Sequence, residues 1–230
     1  MLLARKFMED SREVLCTDAL EWLSVQEKLE GSSLVASMPD ISEFTKITLA
    51  EWKNWFTTTA ALIMSKTPDD GVAIFYQSDI KYEGVWVDKG YLVQKAAEQM
   101  GLELLWHKIV CRVPPGIATF GKPAYSHILC FSKSIRLLDM AKSTPDVIPE
   151  LGEKTWVRGM GLENCLMIAK FIATQTSSKR IVHPFCGEGS ILAAANSVGL
   201  RALGIERSPK RAEKARRLKI SEDNKNWIES

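Results

Sequence analysis

The chain has 230 residues, of which 46% are apolar and 25% charged, with a formal net charge of +2. That length and composition suit one globular domain with a real core. The small charge argues against a chain that grips long nucleic acid by electrostatics alone. No apolar run approaches the roughly 20 residues of a membrane span, and the opening MLLARKFMEDSREV is too charged for a secretory leader. Five cysteines without a C-x-x-C pair read as free thiols of a reducing compartment. The expected setting is therefore intracellular: cytoplasmic, nuclear or inside an organelle.

Short apolar runs alternate with helical patterns, which predicts βαβ units and a mainly parallel sheet. A strand over Glu13–Cys16 ends at Thr17-Asp18 and is followed by a helix over Ala19–Leu29. The run Leu34–Ser37 must stop at Met38-Pro39-Asp40, because proline cannot donate to a sheet ladder. An aromatic-rich helix covers Leu49–Met64, and a third strand, Val72–Tyr76, is closed by Gln77-Ser78-Asp79. Tyr91–Met100 is a helix stopped by Gly101. The pattern then changes. Leu102–Val110 and Ser126–Phe131 are strands with no helix between them, joined through Pro114, Pro115, Gly116 and Gly121, so they predict an antiparallel hairpin and a mixed sheet. Residues 134–155 are irregular. A helix over Leu162–Thr174, a strand over Arg180–His183, a helix over Ser190–Ser197 and a strand over Ala202–Ile205 follow. Pro209 suits the first turn of a last helix reaching about Ile220.

The C-terminal unit carries the clearest chemistry. Between a strand and a helix lies His183-Pro184-Phe185-Cys186-Gly187-Glu188-Gly189-Ser190, and the next strand ends in Glu206-Arg207. Gly187 and Gly189 let a ligand approach the backbone. The helix starting at Ser190 offers free N–H groups and a positive dipole end, and a carboxylate at Glu206 can accept both hydroxyls of a ribose. A dinucleotide fingerprint wants a third glycine where this chain has Leu192, which disfavours NAD. Asp18 and Ser37 also stand at strand ends, where open α/β sheets bind ligands. Asp18 suits an adenine amine, and Ser37-Met38-Pro39-Asp40 suits the reacting group. His107, His127 and His183 show no metal-ligand spacing, so no metal is expected.

The order of these motifs resembles the permuted amino-methyltransferases, the β-class of DNA N-methyltransferases and their relatives. "VLCTDALEWL" is similar to the early acidic motif of that family. "LVASMPD" stands where its [D/N/S]-P-P-[Y/F/W] motif belongs, "ELLWHKI" and "YSHILCFSK" resemble its late strand pair, and "IVHPFCGEGSILAAANSVGLRALGIERSPKRAEKA" resembles its cofactor loop, ribose acid and following helix. The resemblance implies a Rossmann-like class I methyltransferase fold in circularly permuted order, with S-adenosylmethionine (SAM) as cofactor. It implies one domain over 1–230, with a catalytic and substrate half at 1–133, an irregular connection at 134–160 and a SAM-binding half at 161–230. Phe185, Gly187 and Gly189 would line the methionine part, Glu206 the ribose, and Asp18 the adenine amine. Ser37 and Pro39 would face the methyl acceptor. The family's two prolines and aromatic are here Met38, Pro39 and Asp40, and Asp40 cannot stack on a flipped base; Phe44 and Trp52 are candidates to supply the ring.

For an amine acceptor, Ser37 and a carbonyl near Met38 would accept its hydrogens, with Asp40 taking a proton or binding a cationic substrate. Lys108, Arg112 and Lys122, beside Phe120 and Tyr125, form a loop suited to single-stranded or flipped nucleic acid. The basic last helix, Lys210 to Lys219, reads as a solvated face. The leading expectation is a nucleobase N-methyltransferase with RNA preferred to DNA, because there is no room for a large duplex-reading domain, with a protein partner or homodimer to assist it. The alternatives are a protein or small-molecule methyltransferase on the same fold, or an inactive methyltransferase-like subunit that scaffolds a partner.

Overall fold

The computed structural model describes residues 11–221, 223 and 226–228. The opening segment judged too charged for a leader lies, up to residue 10, outside the described residues. The main sheet has eight strands: β1 (Arg12–Leu15), β2 (Ser32–Ala36), β3 (Ala73–Gln77), β6 (Glu103–Cys111), β7 (Tyr125–Ser132), β8 (Val147–Ile148), β9 (Arg180–His183) and β10 (Arg201–Ile205). β4 (Ile80–Tyr82) and β5 (Val85–Val87) form a small separate hairpin, and β11 (Lys219–Ile220) pairs with β12 (Trp227–Ile228). The order across the sheet is β1-β10-β9-β2-β3-β7-β6-β8. Every pairing is parallel except those of β7 with β3 and with β6, so β7 alone runs against the rest. If β9, β10 and β1 are read as first, second and third and β2 and β3 as fourth and fifth, this is the Rossmann order 3-2-1-4-5. Its first strand comes late in the chain, which is the permuted arrangement expected.

Helices cover both faces, as parallel strands require. One face carries α1 (Ala19–Ser24), α2 (Leu49–Lys66) and α3 (Lys89–Met100); the other carries α4 (Leu162–Gln175) and α5 (Ser190–Ser197), with α6 (Pro209–Arg217). Strand alternation sorts the side chains between the faces. Phe75, Leu129 and Phe131 pack with Trp52 and Phe56 of α2, whereas Ile74, Ile128 and Cys130 pack with Ile168 and Ile172 of α4. Thr48 opens α2 in a capping box with Glu51, and Gly101 closes α3 at φ +66°.

The departures from sequence expectation are local. α1 ends at Ser24 instead of Leu29, and α6 at Arg217. The β4–β5 hairpin turns at Glu83-Gly84, both at positive φ, and is too short to show a period in the sequence. No helix among the described residues is long and apolar enough to cross a membrane.

Candidate active site

Strands that run together end together, and their C-terminal ends open on one cavity of about 1070 Å³. Asp18 after β1, Ser37 after β2, Gly187 after β9 and Glu206 after β10 all line it, although they are far apart in sequence. The β6–β7 loop reaches the same rim through Arg112 and Lys122.

The cavity is built from β9 outward. His183 lines it, buried, and its Nδ1 accepts from the Phe185 N–H at 3.2 Å. Burial pushes its pKa down to about 3, so the ring is neutral. Burial likewise raises the Cys186 thiol far above its usual range, which makes it a poor nucleophile. Gly187, at φ +56°, faces the cavity under the indole of Trp156, which a Cβ would meet at 3.5 Å. Glu206 staples this loop: Oε2 accepts from Gly187 N at 3.1 Å and Oε1 from Ser208 N at 2.8 Å. The carboxylate is therefore not a solvated cap; its orientation is fixed by two backbone donors.

Gly189 differs from expectation. It does not line the cavity. At φ +85°, its missing Cβ would lie 2.8 Å from Ala215 Cα, so glycine here lets α6 pack against the loop. Gly199, at φ +83°, has nothing within 4 Å of that position. Gly189→Ala should therefore cost about 2–4 kcal/mol, from strain plus overpacking, and Gly199→Ala about 1 kcal/mol. Urea unfolding midpoints at constant m measure both, and equal costs would contradict the packing role.

Asp18 faces the cavity but is also the N-cap of α1, its Oδ1 accepting from Leu20 N at 2.8 Å and Glu21 N at 3.2 Å. In the turn after β2, Ser37, Met38, Pro39 and Asp40 all line the cavity. The Ser37 hydroxyl has no hydrogen bond among the described residues, so it is available to a ligand. Asp40 is not the lone carboxylate expected. Its Oδ1 lies 3.2 Å from Nζ of Lys89, whose side chain is 3% exposed, and it also accepts from Ile41 N at 3.1 Å. The Lys89 ammonium sits 5.8 Å from the Trp52 ring and 6.0 Å from that of Phe56. Trp52, at 0% exposure, belongs to the core beneath Lys89 and cannot supply a stacking ring. Phe44 does line the cavity, edge-on to Trp55 at 4.6 Å.

The expected substrate loop divides. Arg112 and Lys122 line the cavity; Lys108, Phe120 and Tyr125 do not. Lys108 is buried, its Nζ donating to the carbonyls of Thr144 and Pro145 at 3.1 and 2.9 Å, and so ties the segment before β8 to β6. Phe120 is 97% exposed, and the Tyr125 hydroxyl turns to Asp79 at 3.4 Å.

The irregular connection contributes what sequence patterns missed. Residues 150–160 form a strap along the cavity. Thr155 Oγ1 meets Ser190 Oγ at 3.3 Å, Arg211 of the basic helix stacks on Trp156 at 4.6 Å, and Arg158 pairs with Glu43 at 3.0 Å. Lys154 also lines the cavity; its pKa is lowered by burial and then by the charge of Arg112. Lys154 Nζ donates to Val157 O at 3.1 Å and Arg112 Nη1 to Ser78 Oγ at 2.8 Å. Neither has a carboxylate within ion-pair distance among the described residues, although Asp79 and Glu206 line the same cavity, so both cations are available to a ligand's charge. His127, paired with Asp79 at 3.1 Å and with His107 at 2.9 Å, lies behind the rim, and Asp79, Asp88 and His127 bring ligand-type atoms within 4.8 Å of one another. Their sequence spacing hides this cluster. The His127–Asp79 hydrogen bond and the Asp88 cap on Tyr91 N already account for its members.

No protein-family model and no curated protein sequence matches this chain. Solved structures do match. A protein of Thermus thermophilus, provisionally named a DNA modification methylase and solved in complex with S-adenosyl-L-methionine, superposes with a TM-score of 0.67 at 18% identity over 89% of this chain and 91% of that one. The fold is a methyltransferase fold. The cytosine-N4-specific PvuII DNA methyltransferase gives a TM-score of 0.65 at 19% identity, covering 89% and 85%. The SAM complex of M1.HpyAVI gives 0.60 at 14%, covering 89% and 98%. Likeness at these identities carries the arrangement of strands and helices.

Proposed function

We propose that this chain is a SAM-dependent methyltransferase acting on an exocyclic amine of a nucleobase. One observation carries the proposal: a glycine loop, a strand-end carboxylate, a capping aspartate and an unpartnered serine, from four neighbouring strands, line a single cavity. SAM fits the residues present. Gly187 presents backbone without a side chain to the cavity wall, and Glu206 is held open for a ribose. Bound there, SAM supplies the methyl group. The chain supplies position, because in-line transfer from a sulfonium needs little beyond alignment. Ser37 Oγ and a carbonyl near Met38 would accept the amine's hydrogens and aim its lone pair at the methyl carbon; as the N–C bond forms the S–C bond breaks, S-adenosylhomocysteine is the leaving group, and the amine's extra proton passes to water at the open cavity.

Arg112 and Lys154 suit a phosphate of the acceptor strand. The RNA preference read from the sequence has no support in the comparisons. The named neighbours are DNA methylases, so DNA is the first polymer to test. Calorimetry with SAM comes first; absence of binding would leave a scaffold subunit as the better account. With binding established, tritium from labelled SAM should enter nucleic acid when DNA, RNA and protein fractions are offered, and label in protein alone would refute the acceptor class. Arg112→Ser and Lys154→Ser should each weaken acceptor binding across sequences and flatten its dependence on log salt by about one unit. Unchanged salt slopes would remove both from the phosphate path.

A further inference from the structure

We infer that the base is guanine and the methylated atom its exocyclic N2, read by the Asp40–Lys89 pair; this rests on the nucleobase reading above. The three amine-bearing bases differ in what lies beside the amine. In adenine and cytosine the neighbouring ring nitrogen on the pairing edge is an acceptor, and a protein must meet it with a donor. In guanine that nitrogen carries a hydrogen, followed by a carbonyl oxygen, so the edge runs donor, donor, acceptor.

The cavity wall has the complementary order. Ser37 Oγ and the main chain at Met38 are acceptors for the amine. Two residues further along the same turn stands the Asp40 carboxylate, an acceptor for the N1–H. Beside it, 3.2 Å from Oδ1, is the ammonium of Lys89, a donor for O6. A second donor, Gln77 Nε2, is buried on the same wall without a partner. A carboxylate facing adenine N1 or cytosine N3 would set lone pairs against lone pairs, which is costly in a desolvated site. The ion pair also explains why a lysine is 3% exposed at its side chain above Trp52 and Phe56. Burial of an ammonium is tolerable only where a counter-charge is fixed, and here the fixed pair projects both kinds of hydrogen-bonding group into the cavity.

The decisive measurement uses the full chain with tritiated SAM and, separately, genomic DNA and total RNA, each digested to nucleosides and resolved against N2-methylguanine, N6-methyladenine and N4-methylcytosine standards. Label in N2-methylguanine from either polymer is expected, and the two arms show which polymer supplies the base. Label in the adenine or cytosine product overturns the guanine assignment and leaves the nucleobase reading standing; no label in either polymer overturns both. In the labelled polymer, Asp40→Asn, which replaces one acceptor oxygen by a donor, should raise the acceptor KM at least tenfold while the SAM Kd stays within about twofold. An unchanged KM would also overturn the assignment. Should that variant fold poorly, the identity of the wild-type product decides alone.

Discussion

Glu206→Gln is expected to weaken SAM binding about a hundredfold while the chain stays folded. The wild-type carboxylate has two oxygens, each already accepting from one backbone N–H, of Gly187 and of Ser208. Each oxygen keeps a lone pair directed elsewhere, and together these would take the two ribose hydroxyls. Glutamine keeps the shape but turns one acceptor into a donor. That donor faces a backbone N–H, so the variant loses a loop hydrogen bond, sets one partly buried donor against another, and forfeits one ribose contact. The loop penalty is present with and without SAM, so the loss of affinity comes from the ribose contact; a charge-assisted hydrogen bond is worth about 1.5–3 kcal/mol, and a hundredfold factor lies toward the top of that range. Calorimetry with SAM and with S-adenosylhomocysteine should show equal losses, because the ribose is common to both. An affinity kept within about twofold would reduce Glu206 to a loop staple and remove the main support for the cofactor assignment. Circular dichroism checks that the sheet survives.

Glu206 and the glycine loop were legible because they are local: strand, G-x-G, helix, strand and acid follow one another within 27 residues, from Arg180 to Glu206. Apolar runs likewise gave the strands of the main sheet that exceed three residues, since buried strands and capped helices leave periods and punctuation. Lys89 left none. Nothing in Asp88-Lys89-Gly90 says that the lysine turns inward, because its partner Asp40 is 49 positions away and the tertiary ion pair has no period. The strap residues Lys154, Trp156 and Arg158 lie in a segment with neither repeat nor cap, so only packing assigns them to the cavity. Lys108 misled for the opposite reason. It sits beside aromatics in sequence, but strand alternation sends its side chain to the carbonyls of Thr144 and Pro145. Gly189 misleads because glycine's two uses, close ligand approach and close helix packing, look alike in one sequence; the Ala215 backbone decides between them.

Acid should unfold this protein early, and His183 should be a main cause. The ring is 2% exposed, and its pKa falls from 6.5 to about 3 because burial penalises the charged form. In the unfolded chain the same histidine binds a proton below pH 6.5, whereas the folded chain refuses it until about pH 3. The unfolded state thus holds more protons across that window, so stability rises with pH through it, is level above it, and drains away as pH falls from 6.5 toward 3. At about 1.4 kcal/mol per pH unit, the loss reaches about 5 kcal/mol near the bottom of the window, comparable with the whole stability of a small domain. Four carboxylates held below their usual range, Glu51, Asp69, Asp79 and Glu213, add to acid lability but are shared by any His183 variant. Asp69 is held below its usual range mainly by its hydrogen bond from Lys28, and at Asp79 the upward push of burial is outweighed by hydrogen bonds from His127 and the Lys89 N–H. His183→Asn offers an acceptor to the Phe185 N–H and removes the titration. It should be less stable than wild type at pH 7, by about 1–2 kcal/mol for the lost ring volume, yet lose less stability on acidification, so the two urea-unfolding curves converge or cross between about pH 6 and 5. Parallel pH dependences would show that the ring is hydrated in the folded state and that the floor of the cavity is open to water beneath Phe185.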